Sequence, residues 1–271
     1  MPVANMRDLI AQAQERRQAV GAFSVSSIET ICGVISAAEA LQTPVILQVA
    51  EVRLPTTPLP VLGAAMLAAA RESSLPVAVH LDHGMTFDCI RLALDTGFTS
   101  VMYDGSTLSM EENMENTRRV MEWAKPYGAA VEAEIGRVGR TESGGDAPAV
   151  CADPEDAIRF AAETNVDALA VAIGNAHGVY AGSPDLRFEV LEAIQQRSRT
   201  PLVLHGGTGI SDEDFRHCIR LGVGKINIAT ATFMAAAQAA HEGKDYFDIS
   251  RRITEAARQV ADRCIRVFGI R

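Results

Sequence analysis

No stretch of this chain is apolar for long enough to span a bilayer: the longest run, VLGAAMLAAA at 61–70, is bounded by Pro60 and Arg71. It reads as a buried helix. No run of Lys or Arg stands out, and 34 acidic residues against 25 basic ones leave a net charge of -9. That balance disfavours nucleic acid and an anionic membrane surface as partners and leaves room only for a local basic pocket around a small anion. The five cysteines are widely spaced, with no CxxC pair and no disulfide framework, which fits a reducing cytoplasm. The segment RDLIAQAQERR near the amino terminus has neither a central apolar block nor a small-residue cleavage site, so no secretory signal is expected. Nor is there an internal repeat, a low-complexity tract or a polar linker that would divide the chain. Histidine is scarce, 6 in 271 residues, yet two of the six fall in VHLDHG at 79–84.

What is present is a strong alternation. The chain is 48% apolar and 22% charged, enough to fill a large core. Short β-favouring runs recur at 20–25, 44–50, 76–82, 100–105, 129–136, 168–175, 202–207 and 225–230, most of them nearly continuous Val, Ile, Ala and Leu. Such runs are the mark of strands buried on both faces in a parallel sheet. Helical patterns separate them, among them IETICGVISAAEAL, MEENMENTRRVMEWA, PEDAIRFAAET, FEVLEAIQQR and SDEDFRHCIRLG, the last with a Ser211–Asp214 capping pattern and Gly222 at its end. Eight strands alternating with helices predict an α/β fold, a single (β/α)8 TIM barrel over residues 1–271. An open doubly wound sheet would ordinarily hold fewer strands. Connections that enter strands are short (DTGFT, TNVD, LGVG), whereas those that leave are longer and chemically richer, so function is expected on the exit face. The Gly, Ser and Pro content of residues 137–154 predicts a mobile flap there.

Polar constellations end several strands on that face. Glu132 and Glu134 fall in VEAEIG, His177 and Gly178 follow AVAIGN, and His205 stands between LVL and GGTG. With His83 they offer three histidines and the carboxylate of Glu134 from four different strands. Nitrogen and oxygen donors in that mixture suit Zn2+ or Co2+ with a position open for substrate. A single strand-end histidine is more often structural; three on one face make the case for a metal. His80 and Asp82, two apart, point to the same side of a regular strand, while His83 lies at the exit where Gly84 permits a change of direction. We therefore expect His83 to be a ligand, Asp82 to handle protons beside the metal and His80 to lie behind them. The competing reading of Asp82 is a helix N-cap. GGTG at 206–209 and NIAT at 227–230 follow the last two strands, where barrels commonly hold phosphate on backbone N–H groups, with Thr208 and Thr230 adding hydroxyl donors.

In that order and spacing, VHLDHG, SVMYDGS, VEAEIGRVG, VAIGNAHGVY, LVLHGGTGI and KINIAT resemble the class II metal-dependent ketose-phosphate aldolases, the group containing fructose- and tagatose-bisphosphate aldolases. The likeness covers nearly the whole chain. It implies that His83, His177 and His205 bind a catalytic zinc (cobalt and manganese are also permitted), with Glu134 as a further ligand and Asp104 near an alternative metal position. It makes Asp82 the proton donor to the aldehyde oxygen and Glu142, in the loop after the fifth strand, the general base. Gly178, Gly206, Gly207, Thr208, Asn227 and Thr230 would hold the phosphate and hydroxyls of dihydroxyacetone phosphate, assisted by a monovalent cation. The implied activity is cleavage or formation of a ketose 1-phosphate or 1,6-bisphosphate, with zinc as Lewis acid. The implied setting is a cytoplasmic homodimer or homotetramer acting on phosphorylated ketoses and aldehydes, without nucleic acid or membrane. A Schiff-base route would need a desolvated lysine at a strand end, and Lys225 begins the eighth strand, at the wrong face.

The departures fall on one side of the reaction. Ser24 stands where the family usually has asparagine, Ala50 where the fructose-bisphosphate branch has serine, and the tail RVFGIR lacks the usual Ser-Gly ending. These changes leave the dihydroxyacetone-phosphate half intact and point to an aldehyde other than glyceraldehyde 3-phosphate, with Arg53, Arg137 and Arg140 as candidates for a second anion. Two alternatives compete. A metal-dependent hydrolase on the same barrel would ordinarily carry an HxH pair where this chain has FSVSS; a non-catalytic phosphosugar-binding relative would have no use for Asp82 and Glu142. The helix pattern RITEAARQVADRCIRVF serves either an interface or the covering of the barrel.

Overall fold

In the computed structural model, which describes residues 3–140, 149–180 and 182–269, strands and helices alternate from end to end. The strands are β1 (Val20–Ser24), β2 (Val45–Ala50), β3 (Val77–Gly84), β4 (Ser100–Tyr103), β5 (Ala130–Ile135), β6 (Gly139–Arg140), β7 (Ala168–Val171), β8 (Ala176–His177), β9 (Leu202–Leu204) and β10 (Val223–Ile228). Eight of them close into a parallel barrel in chain order, β10 returning to β1 with Ala22 opposite Asn227, while the two-residue β6 and β8 pair with each other beyond its rim. The expected (β/α)8 barrel is therefore the fold. Around it run α1 (Met6–Glu15), α2 (Ile28–Ala40), α3 (Leu59–Glu72), α4 (Phe87–Thr96), α5 (Met110–Ala124), α6 (Pro154–Thr164), α7 (Phe188–Gln195), α8 (Asp212–Arg220), α9 (Thr230–His241) and α10 (Tyr246–Phe268).

Alternation along each strand splits the side chains into two sets. The outward set, such as Val77, Val79 and Leu81 of β3 or Val131 and Ala133 of β5, packs with the helices in one large apolar core. The inward set changes character with height. At the bottom it is small and apolar, with Ala22, Ile46, Ala78, Ala130, Ala168 and Val203 in one cluster. Alanines leave that end too open to fill itself, and α1 closes it by inserting Met6, Leu9 and Ile10 into the same cluster. Two residues further along β2, β3 and β5 the inward positions are Gln48, His80 and Glu132, joined by Lys225 of β10, all fully buried. Two further still come Asp82, Glu134 and Asn227, at the mouth.

The register slips in two places, between Val223 and Lys225 of β10 and, where it matters most, in β3. The ladder between β3 and β4 slips between Leu81 and Gly84, and His83 takes φ +43°, a left-handed conformation that costs a non-glycine residue about 1–3 kcal/mol. His83 itself makes the change of direction expected of Gly84. Gly84 is needed for another reason: a Cβ there would stand 2.5 Å from the carbonyl oxygen of Met102. The slip lets consecutive residues, Asp82 and His83, face the same cavity.

Other local expectations shift slightly. The apolar run at 61–70 lies in α3 but is one-sided, burying Leu62, Met66 and Leu67 while Val61 is exposed. Ser211 does cap α8 through Asp214 N, but its reciprocal bond goes from the Ser211 hydroxyl to the Asp214 carboxylate rather than to the backbone. Of the proposed flap, residues 141–148 lie outside the described residues; its described ends are tied down, Arg137 exchanging backbone hydrogen bonds with Val150 at 2.8 and 2.9 Å. The carboxy-terminal helix α10 packs along α2 and buries Ala257, Ala261 and Cys264, so it covers the barrel. Because α1 is the plug of an alanine-lined interior, Ile10→Ala is expected to lower unfolding free energy by about 2–5 kcal/mol. Urea denaturation reads this loss; metal uptake at the far mouth should be unchanged.

Candidate metal centre and active site

The site is assembled from the ends of five strands. His83 comes from the slipped end of β3, Asp104 from just beyond β4, Glu134 from β5, His177 from β8 and His205 from just beyond β9. Two overlapping groups share His83: His83 with His177 and His205, and His83 with Asp104 and Glu134, the ligand atoms within each group all lying within 4.8 Å of one another. The imidazoles meet edge to face, with ring centroids 4.8 Å apart for His83 and His177 and 4.6 Å for His83 and His205. His83 Nδ1 is 2.7 Å from Asp104 Oδ2, and its Nε2 is 2.8 Å from His205 Nδ1. Asp104 is itself held by the backbone N–H and hydroxyl of Ser106 on Oδ1.

These residues fit a divalent ion. Glu134 Oε1 accepts from Val138 N, but its Oε2 is buried without a hydrogen-bond partner among the described residues and points at the imidazoles, 3.8 Å from His83 Nδ1 and 4.0 Å from His205 Nδ1. A buried carboxylate oxygen aimed at imidazole nitrogens is a donor set for a borderline ion. The protonation of the metal-free cluster agrees. Burial alone would depress the His83 imidazole, but the carboxylates of Asp82, Asp104 and Glu134 outweigh it and push His83 up to about 10. Burial, with the charge of Asp104, pushes Glu134 up to about 8. Burial and the charge on His83 hold His205 well below the usual imidazole range. Burial works against ionisation of Asp104, yet its bond to His83 keeps its carboxyl well below the ordinary value. A proton thus stands where a cation would sit.

Beneath the cluster lies a polar layer. Asp82 accepts from Asn227 Nδ2 at 3.0 Å and from Gln48 Nε2 at 3.2 Å, so it serves no helix as a cap. Glu132 is 2.8 Å from His205 Nε2 and 2.7 Å from Lys225 Nζ, and Lys225 also donates to Asn227 Oδ1 at 2.8 Å. His80 is fully buried beside Ser100, in the core behind the candidate metal residues. Lys225 does not sit at a useless face: its amine is part of this layer. It was legible in principle, since Lys225 and Asn227, like Glu132 and Glu134, are two apart on one strand. Two further residues carried no sequence signal. Tyr180 accepts from Ala176 N and donates to Gly206 O, both at 2.9 Å; buried Asn175 donates to His205 O at 2.9 Å.

The glycine and threonine segments gather beside the metal residues. Gly206 has φ +62°, and a Cβ there would lie 2.3 Å from Ala176 O, so the exits of β8 and β9 touch only because it is glycine. Gly178 follows His177, Gly207 N donates to Asn227 O, and Thr208 Oγ1 accepts from Ala231 N at 3.0 Å, keeping its own proton free to donate. Thr230 opens α9, whose N-cap residue Ala229 supplies no side-chain cap. Asn227 is placed lower, with both ends of its amide engaged. Glu142 lies outside the described residues. A cavity of about 160 Å³ opens over Asp82, His83 and His177, with Val25, Val49, Ala50, Val52 and Phe233 as its apolar wall and Arg53 at its edge.

Comparison with known proteins decides what this arrangement belongs to. The family model described as fructose-bisphosphate aldolase class II matches residues 4–271. The chain belongs to that family. It is 38% identical to a fructose-bisphosphate aldolase of Staphylococcus epidermidis across 99% of this chain and 98% of the relative, and 40% identical to the 6-phospho-5-dehydro-2-deoxy-D-gluconate aldolase of Halalkalibacterium halodurans across 88% and 84%. The crystal structure of the YdjI aldolase of Escherichia coli K12 superimposes with a TM-score of 0.90 at 34% identity, covering 98% of this chain and 97% of that one. This member of the class II aldolases is therefore a metal-dependent carbon–carbon lyase of phosphorylated ketoses, and the hydrolase and non-catalytic alternatives fall. Among the described residues no helix is long and apolar enough to cross a membrane.

With His83 and Glu134 protonated at neutral pH in the metal-free protein, uptake of a divalent ion at pH 7 is expected to release about 1–2 protons. Apparent affinity should then climb steeply with pH up to about 8, where Glu134 loses its proton, and less steeply toward about 10, where His83 does. Calorimetric titration in buffers of different ionisation enthalpy counts the protons; no release would sink the ligand assignment of His83 and Glu134.

Proposed function

We propose that this aldolase uses zinc, takes dihydroxyacetone phosphate as its donor half and joins it to an aldehyde other than glyceraldehyde 3-phosphate. The observation that carries the reading is the meeting of His83, His177 and the carboxylate of Asp82 in one cavity, with His205 completing the histidine group behind them. His83, His177, His205 and Glu134 would hold the ion, with Asp104 locking His83. A bound zinc supplies Lewis acidity toward a carbonyl oxygen.

The chain's own residues do the rest. Gly178, Gly206, Thr208 and Thr230 receive the phosphate on backbone N–H groups and hydroxyls near the start of α9, while Gly207 lets the backbone approach closely, its own N–H being held by Asn227 O. Asn227 acts from below by orienting Asp82. Asp82, in the cavity lining and fixed by two amide donors, gives its proton to the alkoxide in condensation and takes the hydroxyl proton in cleavage. Glu142, which lies outside the described residues, is proposed as the base that removes the carbon-bound proton. The apolar wall of Val25, Val49, Val52 and Phe233 excludes water and favours a sparsely hydroxylated aldehyde, while the Arg53 guanidinium, 5.7 Å from the Phe233 ring centre, offers its far end a positive charge. Relatives named for two different substrates support a shared donor half and a variable aldehyde half. We further propose that residues 1–271 act as one domain, with a monovalent cation at the phosphate, and that the protein is a cytoplasmic homodimer or homotetramer; exposed Tyr246 and Phe247, at 73% and 81%, support an interface at the start of α10.

Release of dihydroxyacetone phosphate from a panel of ketose 1-phosphates and 1,6-bisphosphates should be abolished by chelator and restored by zinc. Fructose or tagatose bisphosphate emerging as by far the best substrate would overturn the aldehyde assignment. Asp82→Asn should slow cleavage by about 10²–10⁴-fold. Solvent exchange of the carbon-bound proton of dihydroxyacetone phosphate should persist in that variant, because Asp82 serves the aldehyde oxygen. Equal loss of both reactions would refute the separation of roles.

A further inference from the structure

The donors in the layer beneath the metal residues all run one way, and a single side chain imposes the direction. Lys225 is completely buried in the barrel interior, and an ammonium has three donors and no acceptor. Its Nζ lies 2.7 Å from Glu132 Oε2 and 2.8 Å from Asn227 Oδ1. The amide oxygen of Asn227 must therefore face the lysine, which turns its Nδ2 toward Asp82 Oδ1, 3.0 Å away. Glu132 accepts on Oε2 and, as a carboxylate, accepts also on Oε1, which is 2.8 Å from His205 Nε2. The proton of His205 consequently sits on Nε2. The second contact of that nitrogen, 3.2 Å to Asn227 Nδ2, joins two donors and makes no bond. His205 Nδ1 is left with its lone pair toward the metal residues, 2.8 Å from His83 Nε2 and 4.0 Å from Glu134 Oε2.

We propose that Lys225 is a positioning residue that, through Glu132, selects the Nε2–H tautomer of His205 and so presents Nδ1 to the metal, and through Asn227 turns an amide donor to Asp82 Oδ1 and fixes that carboxyl's orientation. It touches neither metal nor substrate. The inference rests on the metal reading of the cluster and adds to it which nitrogen of His205 binds and what decides this.

A nearly isosteric change tests it. In Glu132→Gln, the amide oxygen must face Lys225, so its NH2 faces His205 Nε2 and drives the proton to Nδ1, the side of the metal. Zinc affinity, measured by competition with a chromophoric chelator, should fall by about 10–100-fold. Adding Lys225→Met frees the amide to turn its oxygen to His205; the double variant should regain about tenfold or more of the lost affinity. A role in packing predicts no regain from a second core substitution. A role in net charge, which Lys225→Met restores, predicts regain without control of the tautomer, so the nitrogen-15 spectrum of His205 in the zinc-loaded double variant must also place its proton on Nε2, and a proton on Nδ1 overturns the proposal. Unchanged affinity in Glu132→Gln, or a double variant as weak as the single one, overturns the proposal. Should either variant fail to fold, nitrogen-15 spectra of the histidines in zinc-loaded wild type decide: a proton on His205 Nε2 supports the proposal and one on Nδ1 overturns it. Wild type that binds no zinc in the same titration overturns the metal reading, and this proposal with it.

Discussion

Everything at the mouth of this barrel depends on the ion pair between Lys225 and Glu132, 2.7 Å apart and both without solvent exposure. Removing two charges from water is expensive, and their mutual attraction offsets the penalty only when the remaining donors and acceptors are also satisfied. Here Lys225 donates in addition to Asn227 Oδ1, and Glu132 accepts in addition from His205 Nε2. The pair therefore obliges its neighbours to adopt complementary roles. Removing one partner would leave a bare charge in the barrel interior, a disruption of about 3–5 kcal/mol, which makes this layer rigid as well as polar.

That rigidity explains how the site tolerates its strained residue. His83, at φ +43°, is held by Asp104 on one ring nitrogen and His205 on the other, while its backbone N–H lies 3.4 Å from Met102 Sδ. The slipped register of β3 is what brings the carboxylate of Asp82 and the imidazole of His83, adjacent in the chain, to one cavity. In a regular strand one of them would face the helices. The barrel thus separates its interior by height: apolar packing with α1 below, an ionic layer in the middle in which only Gln48 Oε1 and His80 Nε2 are buried without a hydrogen-bond partner among the described residues, and the candidate metal residues at the rim.

Much of this was legible from the residues. Eight apolar runs announced eight barrel strands, and the stretches at 110–124 and 154–164 are helices over the lengths their patterns suggest. The three histidines, Glu134 and the glycine segments stood at strand ends, where barrel chemistry resides, and the structure brings them together. Less legible was whatever depends on the alternation inside apparently continuous apolar runs. KINIAT reads as a buried strand with a lysine at its start, yet Lys225 and Asn227 share its inward face, and Glu132 can be matched to them only once β5 and β10 stand across a closed barrel. Helix α1, which looks like an ordinary polar surface segment, closes the interior through only three buried side chains.

By itself, then, the sequence determined the alternation of elements, the face on which chemistry would lie and the kinds of donor available there, because these follow from local periodicity and from residue types at strand ends. Only the tertiary structure decided which of those donors meet, where β3 slips so that His83 turns inward, and on which nitrogen His205 carries its proton. The physical reason is distance along the chain. Glu132 and Lys225 are 93 residues apart, His83 and His205 122, and Asp82 and Asn227 145. Hydrogen-bond direction among such partners is a property of the closed barrel, and no local pattern encodes it.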